Sequence, residues 1–280
     1  MVEAKIRAGV IGWPIEHSLS PRLYRYWLKK YTINGSYNAF AVDGTAIPKL
    51  LENMANKGFA GFNVTIPHKQ VVLECLDSLS DCARRVGAVN TITVQKDGEL
   101  FGDNTDGFGF IENIRQNHAD FDATIGPCMV IGAGGAARAI IAALINAGTP
   151  KIKLINRTRS NAEKLAEDIG GPIDVLDWSE RHDALADANF LTNTTSLGMV
   201  GKPPLELSLD ALPAHTLVND IVYAPLETQL LKKAKAKGNP SVDGIGMLLH
   251  QARPGFTAWF GVEPEVTNDL RRHVLAVSGS

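Results

Sequence analysis

The feature that most restricts the fold is a short apolar run, Cys128-Met129-Val130-Ile131, which passes directly into Gly132-Ala133-Gly134-Gly135-Ala136-Ala137 and then an alanine-rich stretch ending at Gly148. Four apolar residues without polar alternation read as a strand covered on both faces, as in a parallel sheet flanked by helices. The glycine string fits G-x-G-x-x-G/A, set after a strand and before a helix, the context in which the motif carries weight. Its glycines let the backbone approach a pyrophosphate, and the helix start supplies free N–H groups and a positive dipole end. A tight strand-to-helix turn without a ligand is the plainer alternative.

The same alternation runs through the chain. Strands are expected at Arg7–Ile11, Tyr37–Val42, Gly61–Val64, Val89–Gln95, Glu99–Phe101, Lys151–Ile155, Phe190–Asn193 and Leu217–Asp220. Helices are expected at Arg22–Lys30 and His68–Leu76, from a Ser160/Glu163 capping box through Asp168, and over Thr228–Lys237 before Gly238. Lys96-Asp97-Gly98 reads as a hairpin turn. This pattern predicts an α/β fold with mostly parallel sheets. A length of 280 residues suggests two domains, with a boundary near Asp103–Gly107. The apolar stretch Met247–Trp259 is expected to pack back on the first domain, kinked or split at Pro254-Gly255.

Charge narrows the function. Lysine and arginine number 28 against 30 acidic residues, a net charge of -2. Nucleic-acid and membrane-surface proteins usually carry a basic bias, so neither partner is expected. No apolar run reaches the ~18 residues of a membrane span, and Ala8–Ile15 makes a poor signal peptide. Three cysteines, with no C-x-x-C spacing, suggest no metal site and a reducing, cytoplasmic compartment. Cys75 and Cys82, seven apart, are expected on one helical face as core thiols.

The expected strand Lys151–Ile155 ends in Asn156-Arg157-Thr158-Arg159, where NAD binders place an acidic residue on the ribose. The acid is missing and two arginines stand nearby. A guanidinium can pair with a 2′-phosphate, which favours NADP over NAD. One of the two arginines is expected to be an ordinary loop residue.

The first half carries a concentration of hydroxyls and amides. Ser20 reads as an N-cap with Pro21 following; Ser18 is not needed for capping and, with Ser20, could hold a small carboxylate. In Asn63-Val64-Thr65-Ile66-Pro67-His68-Lys69, Lys69 falls in the first turn of the expected helix. A cation is disfavoured there, which suits a lysine that trades protons. His68 is a weaker acid–base candidate. Thr65, Asn90 and Asp106 should cluster at the carboxyl ends of strands, although Asp106 could equally cap the next helix.

Nine strings occur in the order found in the shikimate/quinate dehydrogenase family: SLSP, NVTIPHK, GAVNT, DNTDG, GAGGAARA, NRT, NTTSLGM, DIVYAPLETQLL and DGIGMLLHQA. The resemblance runs from about Ala8 to Gly261. It implies a substrate domain over residues 1–105, completed by C-terminal helices 245–280, and a Rossmann-type NADP domain over 106–244, with a cleft between them. It also implies reversible NADP-dependent reduction of 3-dehydroshikimate to shikimate, a step of aromatic amino-acid biosynthesis, by a monomer or homodimer.

By position, the family's catalytic pair falls on Lys69 and Asp106. Substrate contacts fall on Ser18, Ser20, Thr65, Asn90, Asp106, Tyr223 and Gln251. Cofactor contacts fall on Asp81, on Gly132, Ala133, Gly134, Gly135 and Ala136, on Asn156, Arg157, Thr158, Arg159, Ser160 and Asn161, and on Ile221 and Gly244. Family members often carry a second basic residue where this chain has Asn161. Two rival readings fit the same strings: a quinate/shikimate dehydrogenase using NAD or both cofactors, and a non-catalytic NADP-sensing module. Ser20 resembles the shikimate-preferring form, and a sensor has no need of Lys69, Asp106 and Gln251 together.

Overall fold

A computed structural model describes residues 5–276. The chain divides into two compact units, one holding the residues up to Thr105 and those from Leu248 onward, the other running from Asp106 to Met247. Residues 1–4 and 277–280, at the ends of the expected first domain, lie outside the described residues.

The first unit opens with β1 (Ile6–Gly12), α1 (Ser20–Lys30), β2 (Gly35–Ala41), α2 (Ile47–Glu52) and β3 (Phe59–Val64). It continues through β4 (Ser78–Leu79), α3 (Asp81–Val86), β5 (Thr91–Val94) and β6 (Leu100–Asp103). The sheet order is β2-β1-β3-β5-β6-β4. β1 runs parallel to β2 and β3, but β5 is antiparallel to both β3 and β6. β4 pairs parallel with β6, so the sheet is mostly parallel with β5 alone reversed: a tight turn joins β5 to β6, with Gly98 at φ 93°, and a hairpin is antiparallel by construction.

The reversal has a useful result. It sets the start of β5 beside the ends of β1, β3 and β6. Thr65 N–H donates to Ile11 O at 3.0 Å, Val64 N–H to Asn90 O at 2.8 Å, and Asn90 N–H to Asp103 O at 3.0 Å.

The expected helix His68–Leu76 is not formed. Residues 66–70 make turns, followed by a short 3-10 helix at Val71–Cys75. His68 is drawn into the core, 2% exposed, with its Nε2 2.7 Å from Val42 O. Cys75 therefore shares no helical face with Cys82, and the two are half-buried and exposed; only Cys128 is a core thiol, with burial pushing it up to about 11.

The second unit comprises α4 (Asp106–Asn117), β7 (Cys128–Ile131), α5 (Gly135–Asn146), β8 (Ile152–Ile155), α6 (Arg159–Ile169) and β9 (Ile173–Leu176). It continues through β10 (Phe190–Asn193), β11 (Leu217–Asp220), α7 (Gln229–Lys237) and β12 (Ser241–Val242). All pairings are parallel, in the order β12-β11-β10-β7-β8-β9. This is the doubly wound dinucleotide-binding order, with its switch point between β7 and β10. Cys128 and Val130 face a core with Phe110, Ile140 and Leu144; Met129 and Ile131 face another with Leu230 and Leu231. Both faces of β7 are buried, which is why it has no polar residue: an unpaired polar group there would cost about 1–3 kcal/mol.

The Ser160/Glu163 capping box is absent. Thr158 stands at the N-cap of α6 without a side-chain cap, and Glu163 accepts instead from Arg159 Nε at 2.8 Å.

Two C-terminal helices follow, α8 (Ile245–Phe260) and α9 (Asn268–Leu275). α8 is one helix that runs through Pro254 and is not split there. Trp259 donates to Ile92 O at 3.2 Å, and the Tyr24 hydroxyl donates to Ala252 O at 3.0 Å. Tyr24 also stacks on Tyr37, centroids 3.8 Å apart. A Cβ at Gly61 would lie 2.1 Å from Trp259 Nε1, so only glycine admits the indole there.

Candidate active site

The glycine turn after β7 meets two separate requirements. Gly132 has φ 114°, and a Cβ there would lie 2.5 Å from Thr194 Oγ1, so the fold itself demands glycine. At Gly134 and Gly135 a Cβ would meet nothing within 4 Å. Those two glycines are not needed by the protein's own packing. They leave open ground at the start of α5, where N–H groups without helical partners and the dipole favour a phosphate.

The next strand end separates the two arginines. Arg159 bonds Glu163 and Asp177, each at 2.8 Å, and Val175 O at 3.1 Å. Arg157 is exposed and makes no hydrogen bond or ion pair among the described residues. Arg159 is thus the structural arginine of the pair, and Arg157 takes part in none of these contacts. Asn156 Nδ2 donates to Thr158 O at 2.8 Å, shaping the same loop; Ser160 and Asn161 lie in the first turn of α6, with Ser160 exposed. These residues fit NADP. Farther along the sheet edge, a Cβ at Gly244 would lie 2.2 Å from Ile221 O, so the backbones at Ile221 and Gly244 touch.

In the first unit the sheet edge holds a buried network. Asn90 Nδ2 donates to Thr105 Oγ1 at 3.0 Å and to Gln251 Oε1 at 3.2 Å. Its Oδ1 accepts from the Thr91 hydroxyl at 3.0 Å and from Thr105 N–H at 2.9 Å. Asn63 joins from β3, donating to Thr91 Oγ1 at 3.2 Å and accepting from the Tyr37 hydroxyl at 2.7 Å. Ser20 is hydrogen-bonded to Tyr37, whose phenol burial pushes well above its usual range. Thr65, just past β3, is half-buried with a hydroxyl that bonds no described residue.

Ser20 is not an N-cap. It is the first residue of α1, Leu19 precedes it, and no side chain caps the helix. Instead Ser18 Oγ accepts from Ser20 N–H at 3.3 Å. Lys69 lies in the turn before the 3-10 helix, half-buried, and Val89 N–H donates to its carbonyl at 2.7 Å. With no α-helix starting there, the dipole argument for Lys69 falls. His68, sealed against Val42, is not placed for proton transfer to a ligand.

Three expected residues lie on other elements. Asp106 opens α4 and is buried at 6% exposure. Tyr223 is half-buried after β11, its phenol pushed up by burial. Asp81, on α3, is exposed and pairs with Arg84 at 2.8 Å. Among the described residues, no cluster of His, Cys, Asp or Glu could hold a metal, and no helix is long and apolar enough to cross a membrane.

Residues 10–92 match the model for the shikimate dehydrogenase substrate-binding domain, and residues 116–200 match that for shikimate/quinate 5-dehydrogenase. A shikimate dehydrogenase (NADP(+)) of Paramagnetospirillum magneticum is 54% identical across 96% of this chain and 98% of its own length. The chain belongs to the shikimate dehydrogenase family.

Another shikimate dehydrogenase (NADP(+)), from Rhodospirillum rubrum, is 54% identical over 98% of this chain and 99% of its own. Among solved shikimate dehydrogenase structures, the Thermus thermophilus enzyme in complex with NADP(H) and shikimate superposes with TM-score 0.85 at 35% identity, covering 96% of this chain and 98% of that one. The same scaffold serves a quinate dehydrogenase from Corynebacterium glutamicum in complex with NAD, at TM-score 0.88 and 30% identity, over 96% and 97% of the two chains.

Sequence reading gave no role to the hydrogen bonds made by four residues at these sheet edges: Tyr37, Asn63, Thr105 and Asp220. For the last three the signal was available, a polar residue within or just past an otherwise apolar strand.

Proposed function

We propose that this chain catalyses the reversible, NADP-dependent interconversion of 3-dehydroshikimate and shikimate. The observation that carries this reading is the full-length 54% identity to a shikimate dehydrogenase (NADP(+)). The free Arg157, with no acid at the end of β8, supports NADP rather than NAD.

The backbone of Gly132–Ala136 would hold the pyrophosphate, Arg157 the 2′-phosphate, and the Ile221 and Gly244 backbones the nicotinamide end. Bound there, NADP supplies or takes up the hydride exchanged with the substrate. In reduction, negative charge grows on the substrate's carbonyl oxygen, and Lys69 delivers a proton to it. In oxidation Lys69 takes the alcohol proton. Asp106 anchors a substrate hydroxyl and keeps the ammonium in register.

Ser18 and Ser20 hold the substrate carboxylate. Thr65 has its hydroxyl free to meet a ring hydroxyl, and Asn90 and Gln251 orient amides toward the same ring, with Tyr223 beside it. Asp81, exposed on α3 and paired with Arg84, adds a carboxylate to the cofactor contacts. We further place the enzyme in the cytoplasm, as a monomer or homodimer acting on a small molecule without nucleic acid.

The test is direct: mix the protein with shikimate and NADP+ and follow absorbance of the reduced nicotinamide, then repeat with quinate and with NAD+. Rapid turnover only with shikimate and NADP+ is expected. Faster turnover with quinate or NAD+ would overturn the assignment.

A further inference from the structure

At the end of β11 one buried carboxylate ties three segments together. Asp220 is 1% exposed. Its Oδ1 accepts from Asn193 Nδ2 at 3.0 Å and from Val222 N–H at 3.0 Å, and its Oδ2 accepts from the Thr228 hydroxyl at 2.7 Å. Asn193 in turn fixes the loop after β10, accepting from the Thr195 hydroxyl at 2.7 Å and donating to Leu197 O at 3.1 Å. Thr228 caps α7, accepting from Leu231 N–H at 3.4 Å. Val222 follows Ile221, whose carbonyl lies against Gly244.

A buried carboxylate without a countercharge is costly, and a neutral acceptor could satisfy these donors with less desolvation. What the charge adds is strength: a hydrogen bond to an ionised acceptor is roughly twice as strong as a neutral one. We infer that Asp220 is a positioning residue for the nicotinamide end of the cofactor, holding the Ile221–Tyr223 loop in its binding conformation through its negative charge. This rests on the NADP reading above.

The groups facing Asp220 are the Asn193 amide from β10, the Thr228 hydroxyl from α7 and the Val222 N–H of its own loop, none of them ionised. The titratable groups nearest in the chain are Tyr223, pushed up by burial, and Glu227, held low by Lys235; Asp243 follows β12. Burial pushes the Asp220 carboxyl up to about 6. Mild acid therefore neutralises it. Asn193 Nδ2 and Val222 N–H can only donate, so the proton must sit on Oδ2, with the Thr228 hydroxyl turned to accept it. The bond to Val222 N–H then loses its charge assistance, and the loop loosens.

The experiment measures NADPH affinity by nicotinamide fluorescence, and KM for NADP+ and shikimate, from about pH 5 to about pH 8 on the full chain. As pH falls through the Asp220 transition, Kd for NADPH and KM for NADP+ should rise about tenfold while KM for shikimate holds. Asp220→Asn should bind NADPH about tenfold more weakly at neutral pH, with kcat within about threefold of the native value. The cofactor's own 2′-phosphate titrates near pH 6 as well, so the native transition belongs to Asp220 only if it is reduced or absent in Asp220→Asn.

Native affinity in Asp220→Asn, or an unchanged acid transition, overturns the inference. If that variant does not fold, Thr228→Val decides: loss of its bond to the charged form should move the transition to higher pH, and Thr228→Ser should restore it. A transition that stays in place overturns the proposal. Tight NADPH binding without shikimate oxidation would instead sink the substrate reading and leave this test intact.

Discussion

The Asn90 amide donates to Gln251 Oε1 at 3.2 Å, a hydrogen bond across 161 residues of chain that joins the loop before β5 to the C-terminal helix α8. Gln251 also donates to Leu248 O at 3.1 Å, which orients its amide. Replacing Gln251 by Leu removes this hydrogen bond between the loop before β5 and α8, so stability should fall by about 1 kcal/mol in urea unfolding. KM for shikimate should rise more than tenfold, with KM for NADP+ within about twofold. An unchanged shikimate KM would remove Gln251 from the substrate site.

Lys69→Ala should lower kcat by about 10²–10⁴ and change either KM far less, because a proton donor acts chiefly in the transition state. Its half-buried side chain caps no helix, so thermal unfolding should be little affected. Near-native kcat would take the lysine out of the mechanism.

The two arginines after β8 should behave differently. Arg157→Ala should raise KM for NADP+ by about 10–100-fold and leave weak NAD+ turnover unchanged, through loss of a phosphate contact worth about 1.5–3 kcal/mol. Arg159 is tied to Glu163 and Asp177, both exposed pairs. Arg159→Ala should act mainly on α6, costing no more than about 1 kcal/mol by calorimetry. Equal cofactor effects from both would contradict this division.

The glycines of the turn divide in the same way. Gly132→Ala puts a methyl 2.5 Å from Thr194 Oγ1 on backbone at φ 114°. It should destabilise by about 2–4 kcal/mol. Gly134→Ala meets no protein atom within 4 Å, so its fold should be intact and only NADPH binding weakened. A stable Gly134→Ala protein that binds NADPH normally would move the pyrophosphate elsewhere.

Asp220 also sets a pH dependence of stability. Its carboxyl stays protonated to about 6 in the folded chain, but only to about 3.9 when unfolded. The folded state binds more protons between those values. The resulting stabilisation is complete below about pH 4 and lost as pH rises through about 6, a swing on the order of 3 kcal/mol. Denaturant unfolding of native and Asp220→Asn proteins across this range should show the native chain losing that amount relative to the variant. Parallel curves would contradict it.

The sequence made the second unit legible because β7, β8, β10 and β11 are short apolar runs bounded by turn residues, a pattern with few other solutions. The glycine motif located the start of α5 for the same reason. The stretch after Pro67 misled, since its local pattern suits a helix. Burial of the His68 ring against Val42 O is a tertiary contact that no local propensity records. Ser20 and Ser160 are good caps by type, but the N-caps fall on Leu19 and Thr158, one and two residues before the expected positions. The string around Lys69 was legible, but the helix-end argument for the lysine fails because no α-helix starts there. Which arginine is free followed only from Glu163 and Asp177, partners the sequence does not announce.

Trp259 and Ala252, which close over Ile92 and Tyr24, are supplied by a stretch of chain made after the whole second unit. On the ribosome, the nucleotide-binding unit can complete its sheet as soon as β12 has emerged, while the earlier-synthesised unit must wait with its tyrosine layer uncovered. A chain stopped just short of Leu248 would thus retain one finished globule and one that cannot mature, and supplying the missing C-terminal peptide in trans is the natural way to rescue it.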